Sequence, residues 1–400
     1  MTMNRIYCMY ILGVGMLLFT TCKKSPDASP SAQTTFVREI DNGKYTYNTD
    51  YITCLPDGGF LSVGYNNLPG GFNICTMLRF NKTGSIVWQR TVPGDTTYPF
   101  YVLPKDDGTF IISEYSSFGI SVIDTMGHLL STSAYASGID VYTQSGLYQT
   151  PAGYMLSVSD GNANAITDMA IVELDKNLKY TANIPLTDAK YFTGKTLYLE
   201  AYQENTAGTY YVYGQKFLNQ NWNWGDIRKL FVAKVTPGQK AKETIIDSAT
   251  LSGFEYQIWQ IVNPDSSIVL LSSQRNYTTN ALSTFLAKVD KNLKIVWQRA
   301  YPEENENINP YIFSKCKDGG FLISGEADNG TNNQKPYALK VDADGNKVWS
   351  KTYSFPGLGS FNFGTDCPDG GYFFVGSETG FGNEKGNQIM AVHTDASGNY

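Results

Sequence analysis

The sequence predicts an all-β fold of seven four-stranded units arranged radially, and three observations carry that prediction. One phrase recurs, most clearly as Asp57-Gly58-Gly59-Phe60-Leu61-Ser62-Val63-Gly64, Asp318-Gly319-Gly320-Phe321-Leu322-Ile323-Ser324-Gly325 and Asp369-Gly370-Gly371-Tyr372-Phe373-Phe374-Val375-Gly376. A second turn phrase follows each copy, and the copies open units of roughly 45–58 residues, the period of a repeat architecture. The third observation is one strand too many at the start and one too few at the end.

The chain begins with a segment that reads as an address. Arg5 supplies a positive start, and Ile6 to Thr20 is an apolar run too short for an ordinary membrane span. It ends in Leu17-Leu18-Phe19-Thr20-Thr21-Cys22, which resembles the lipobox of bacterial lipoproteins, in a loose form similar to those of Bacteroidetes. The resemblance implies cleavage before Cys22 and lipidation of its thiol. Thr21 departs from the small Gly or Ala usual before that Cys. Residues 1–22 are therefore expected to be a signal peptide, and residues 23–35, rich in Ser, Pro, Ala and Lys, a flexible tether. The expected location is the cell envelope, on the outer membrane.

Residues 36–400 carry the repeat. In the sixth unit, Asn309 to Lys315 can form an inner strand, and Asp318-Gly319-Gly320 a tight turn whose glycines tolerate positive φ. Phe321 to Gly325 is a second strand, Tyr337 to Val341 a third, and Val348 to Tyr353 a fourth beyond the turn Asp342-Ala343-Asp344-Gly345-Asn346. Short, near-continuous apolar runs suit strands covered on both faces. Four such strands per unit, repeated around an axis, make a β-propeller blade.

The ends fix the blade number. The seventh unit stops at Tyr400, before any fourth strand, while Phe36-Val37-Arg38-Glu39-Ile40 stands unclaimed near the start. That segment reads like the fourth strands at Trp88 and Trp297, so it is expected to complete the last blade and close the ring, leaving no open sheet edge. The signal of Asp-Gly-Gly-aromatic, Lys-x-Asp-x-x-Gly and Trp resembles a family of secreted and lipid-anchored bacterial and archaeal propellers. The resemblance implies the fold and leaves the role open, because members have diverse or unknown functions.

Several candidate features invite a structural explanation. The third strands carry Arg79, Val122, Glu173, Lys234, Lys288, Lys340 and His393 at one position, and a Trp follows nine residues later in three units. These are expected to be cross-strand neighbours, with the cation on the indole face and Glu243 replacing Trp opposite Lys234. By the same register His393 should face Phe36. After Cys8 and Cys22, the cysteines Cys54, Cys75, Cys316 and Cys367 lack any C-x-x-C pair and are expected to be free thiols, since equivalent positions on neighbouring blades are too far apart to bridge. The Asp342 turn lacks the distal Glu of a calcium loop, so no metal is expected.

The functional candidates sit in the loops. The second-to-third strand loops and blade connections are long and rich in Asn, Gly, Tyr and Trp, and variable loops on a rigid scaffold are where binding concentrates. Trp222 and Trp224, with Asn221, Asn223 and Tyr277, form the strongest candidate, able to stack on sugars or anchor a protein. A net charge of −6 with no basic run argues against nucleic acid, and two histidines leave little for His-based chemistry. No hydrolase, zinc-protease or phosphate-loop motif is present. The expectation is a monomeric, lipid-anchored binding scaffold for a protein or glycan, with no cofactor. The alternative is a polysaccharide lyase or glycoside hydrolase with acids gathered near the central channel.

Overall fold

The computed structural model describes residues 35–41, 46–67, 73–92, 99–105, 107–114, 119–134, 143–159, 168–187, 196–203, 208–217, 228–246, 252–304, 306–330, 333–379 and 387–400. Seven four-stranded antiparallel sheets form a seven-bladed β-propeller. Six blades use four consecutive strands; the seventh has the order Phe36–Asp41, Asn387–Thr394, Tyr372–Thr379, Leu358–Asp366 from rim to axis. Phe36 pairs with His393 and Asp41 with Gln388, so the N-terminal strand closes the ring as expected. The unit Thr34–Tyr400 is one compact body. Cys22 and the tether through Thr34 lie outside the described residues.

The blades are apolar on both faces, and the core lies between neighbours. Phe60, Leu78 and Phe80 of the first blade pack with Phe36, Phe373, Val375 and Ala391 of the seventh. Leu61, Val63 and Met77, which point the other way, pack with Phe110, Ile112 and Ile123 of the second. This alternation is why the second and third strands of a blade read as near-continuous apolar runs: both sides of their pleat are buried.

Three of the third-strand residues answer to the turns. Arg79 pairs with Asp57, Lys340 Nζ lies 2.9 Å from Asp318 Oδ2, and His393 Nε2 lies 3.4 Å from Asp369 Oδ2. Each of those aspartates also accepts from the second glycine amide after it, at 3.0, 2.8 and 3.1 Å. One carboxylate thus ties the tight turn to the neighbouring strand, which accounts for both the Asp-Gly-Gly phrase and the basic residue. The expected registers Arg79–Trp88, Lys288–Trp297 and Lys340–Trp349 are present. The fourth is one residue out: Lys234 faces Lys242 and Ala233 faces Glu243, because that hairpin lacks the bulge found after Arg79, Lys288 and Lys340. Lys234 lies instead over the Tyr211 ring at 5.4 Å.

Trp297 and Trp349 cover the turn of the next blade. A Cβ on Gly345 would sit 2.9 Å from the Trp297 ring, and one on Gly398 would sit 3.1 Å from the Trp349 ring. Both glycines are left-handed, at φ 74° and 75°. At the closing seam Phe36 occupies the same place over Gly84. At two junctions where the preceding blade brings no ring, the turn holds leucine: Leu178 and Leu293 adopt φ 62° and 67° and are buried, whereas Gly127 lies under Arg90 and Gly238 meets no neighbour within 4 Å. Ring and leucine are alternative fillings of one gap.

Candidate functional site

The inner strands surround a cavity of about 600 Å³ at the axis. Their geometry repeats a device with consequences for the site. In every inner strand the pairing skips at least one residue: between Thr49 and Tyr51, Pro99 and Tyr101, Gln144 and Gly146, Leu197 and Glu200, Phe254 and Ile258, Pro310 and Ile312, and Phe361 and Phe363. A β-bulge of this kind bends the strand and re-aims the extra side chain. In the first, sixth and seventh blades the skipped residues are Asp50, Tyr311 and Asn362, and all three line the cavity.

One residue nearer the turn lies an apolar level formed by Tyr51, Tyr101, Trp259, Ile312 and Phe363. Each stands four residues before the first residue of its hairpin turn, at Leu55, Lys105, Asn263, Cys316 and Cys367. Tyr101 and Trp259, from the second and fifth blades, meet edge to face with centroids 6.3 Å apart. Tyr51 and Phe363 meet at 5.8 Å. Aromatic faces gathered in this way offer a large apolar surface with polar tips.

The polar groups of the lining are buried, and several are unsatisfied. Asp50 Oδ2, Trp259 Nε1, both amide atoms of Gln260 and Asn362 Oδ1 have no hydrogen-bond partner among the described residues. Buried polar atoms normally find partners, and leaving one without costs about 1–3 kcal/mol. Five such atoms around one cavity are the arrangement of a site built to receive hydrogen bonds. Burial pushes the Asp50 carboxyl well above the usual carboxylate range. Tyr65 is pushed up to about 12, first by burial and then by Asp50. Burial, then Glu326, raises Tyr311, whose hydroxyl bonds Glu326 and Ser360. Among the described lining residues Asp50 is the one carboxyl, and none is Lys, Arg or His.

The sequence candidates fall elsewhere. Asn221, Trp222, Asn223 and Trp224 lie outside the described residues. Tyr277 stands on a short turn closed by the Asn276 amide and the Ala281 carbonyl, is 38% exposed, and takes no part in the cavity. Both histidines are remote: His128 is exposed and bonds Asp124 at 2.9 Å, and His393 is buried behind Phe36. The cavity residues were missed because a bulge interrupts alternation without leaving a turn signal. The one available hint was that the inner strands hold Asp50, Gln260 and Asn362 where the other strands are apolar.

Cys54, Cys75, Cys316 and Cys367 are free thiols in the structure, as expected. Cys54 and Cys367, which do not occupy equivalent positions of their blades, nonetheless have their Sγ atoms 3.0 Å apart. The first and seventh blades are adjacent once the ring closes, and Cys54 sits on the face of its strand turned toward the seventh.

No family model and no curated protein matches the chain. Solved structures do. The polysaccharide lyase Uly1 is similar at 11% identity and a TM-score of 0.52, over 89% of this chain and 98% of that one. A catalytically inactive virginiamycin B lyase from Staphylococcus aureus, with quinupristin, is similar at 12% identity and 0.50, over 90% and 99%. A Bacteroides caccae protein of unknown function follows at 14% identity and 0.40, over 70% and 90%. At these identities the likeness establishes the propeller and nothing finer.

Proposed function

We propose that this propeller is an envelope binding protein that takes an uncharged, hydroxyl-rich ligand, a neutral glycan segment, in its axial cavity. The observation that carries the reading is the ring of unsatisfied buried polar atoms on Asp50, Trp259, Gln260 and Asn362 among aromatic faces. Sugars present stacking faces and alternate donor with acceptor hydroxyls. Tyr51, Tyr101 and Trp259 suit the first property, and the Gln260 and Asn362 amides suit the second. The described lining offers no Lys, Arg or His to an anionic ligand, and burial disfavours the charged form of Asp50, which suits an uncharged partner. Trp222 and Trp224 would add a second platform for the same ligand or a protein, and lipidation at Cys22 would hold the propeller at the outer membrane.

A polysaccharide-active enzyme is the second reading. What favours it is the buried Asp50 carboxyl, raised well above the usual carboxylate range and near Tyr65, which is the direction a general acid needs. Against it stands the single carboxyl among the described lining residues, since glycoside hydrolysis ordinarily uses two.

A glycan array, followed by calorimetry on residues 23–400, tests the proposal. Neutral oligosaccharides should bind, and Gln260→Ala and Asn362→Ala should each weaken them about tenfold, the equivalent of ~1.4 kcal/mol. Glycan binding unchanged in both variants would remove the cavity from the reading. Loss only in Trp222→Ala/Trp224→Ala would move the site to that loop. Product release abolished by Asp50→Asn with binding intact would favour the enzyme.

A further inference from the structure

The closing seam of the ring carries a feature that the binding function does not use. Cys54 ends the inner strand Thr46–Cys54 of the first blade, and Cys367 follows the inner strand Leu358–Asp366 of the seventh. They are 313 positions apart in sequence, yet their sulfurs stand at 3.0 Å, inside the contact distance of two non-bonded sulfurs. Cys54 Sγ also lies 3.6 Å from the Asp366 carbonyl.

The placement follows from strand geometry. Side chains alternate faces along a strand, so Cys54 turns toward the seventh blade while Leu55 turns toward the second. Cys367 occupies the position equivalent to Leu55 and therefore turns toward the next blade, which is the first. The one-residue offset that sets Cys54 apart from Cys316 and Cys367 is what makes the two thiols converge. Cys316 has the same offset as Cys367 but packs in an apolar layer with Leu322, Phe361 and Tyr372. The pairing belongs to the seam.

We infer that Cys54 and Cys367 form a disulfide that staples the first blade to the seventh. The ring would then be held twice at its seam: at the rim by the strand Phe36–Asp41, and near the axis by a covalent bond. The oxidant is a disulfide donor of the exported compartment, a thiol oxidase of the Cys-x-x-Cys class. Cys54, the more exposed thiol, attacks a donor sulfur as thiolate; the donor's S–S bond breaks and one donor thiolate leaves. Cys367 loses its proton and attacks Cys54 Sγ, forming the new S–S bond and releasing the donor's second thiolate. Two protons and two electrons leave the protein, and the donor ends as a dithiol. The neighbouring Cys54 thiol and burial push the Cys367 thiol upward, which makes the second step slow and the finished bond poorly exchangeable.

A metal is the competing occupant. Ligand atoms of Cys367, Asp369 and His393 lie within 4.8 Å of one another. The Asp369–His393 contact, however, repeats the turn-to-strand pairs Asp57–Arg79 and Asp318–Lys340, so the repeat already accounts for two of the three.

The test is mass spectrometry on the full chain, produced with its own leader in an exporting bacterial host, denatured without reductant, alkylated with iodoacetamide and digested. Peptides holding Cys54 and Cys367 should run joined and separate only after reduction, with Cys75 and Cys316 alkylated. Cys54→Ser, Cys367→Ser and the double variant should lower Tm equally, by about 5 °C, and reductant should lower the parent to match. Alkylated Cys54 and Cys367, a bridge to another cysteine, or co-purified zinc whose chelation frees both thiols would overturn the inference. So would equal Tm losses with and without reductant, which packing alone would produce.

Discussion

The rim of this ring repeats, and the axis does not. Away from the axial cavity one arrangement returns in several blades: a turn aspartate held to a basic third-strand residue, and an aromatic ring laid on the next blade's turn glycine. At the axis, equivalent positions hold Asp50, Tyr311 and Asn362 on one level, and Tyr51, Tyr101, Trp259, Ile312 and Phe363 on the next. The difference follows from what each region touches. A blade interface meets the same neighbour every time, so one solution serves throughout. A ligand at the axis meets all blades at once, so each can contribute a different group. Substitutions at the rim should therefore move stability and leave binding alone, and substitutions at the axis should do the reverse.

The largest effect is expected at Asp318. Lys340 is buried and pairs with this carboxylate, so Asp318→Ala would strand a buried cation, at about 3 kcal/mol or more. Lys340→Met, which removes the charge itself, should cost much less. Burial works to raise the Asp318 carboxyl, but the Lys340 ammonium and the Gly320 amide outweigh it and hold the carboxyl below the usual range. The sign is fixed by that depression. The pair contributes fully above the pKa of an unfolded aspartate and is lost as pH falls through the lower folded value. Denaturant melts of both variants at neutral and acid pH would show the gap between Asp318→Ala and the parent closing on acidification. A gap independent of pH would assign the loss to the turn alone.

Trp297→Ala should follow, at roughly 2 kcal/mol, because the partly buried indole covers Gly345 and leaves a gap that the blade interface cannot close. The leucine junction offers the contrast. Leu293→Gly would relieve left-handed strain of about 1–2 kcal/mol but give up burial worth about 1.5–3 kcal/mol. It should cost only about 1 kcal/mol. Equal losses in thermal melts of the two variants would break the idea that ring and leucine are alternative fillings of one gap.

How much of this was legible follows the same division. The seven blades, the closing strand Phe36–Asp41 and the cross-strand pairs at Trp88, Trp297 and Trp349 could be read because turns and alternation leave a mark every time. The Lys234 register could not, since it depends on a bulge that the hairpin lacks. Cys54 and Cys367 escaped because their meeting depends on ring closure and on which face of the pleat Cys54 takes. The axial residues escaped for a related reason. A bulge adds one residue to a strand already apolar on both faces, and nothing in the local pattern says which side chain has been turned inward.

The smallest expected effect carries the most information, because its sign is opposite. Among the described residues Asp50 has an oxygen without a partner and meets no cation in the lining, and burial raises its carboxyl. A native state that binds its proton more tightly than the unfolded chain loses stability as pH rises through the window above the unfolded pKa. Asp50→Asn removes that titration while keeping size and polarity. It should leave Tm unchanged near pH 4 and raise it increasingly toward pH 8, although the variant lies in the proposed ligand site. Gains of this kind are expected where a site is held unsatisfied for a ligand, since removing the function relieves the strain. A Tm that fell at every pH would mean that Asp50 serves the fold, and the axis would then be no different in kind from the rim.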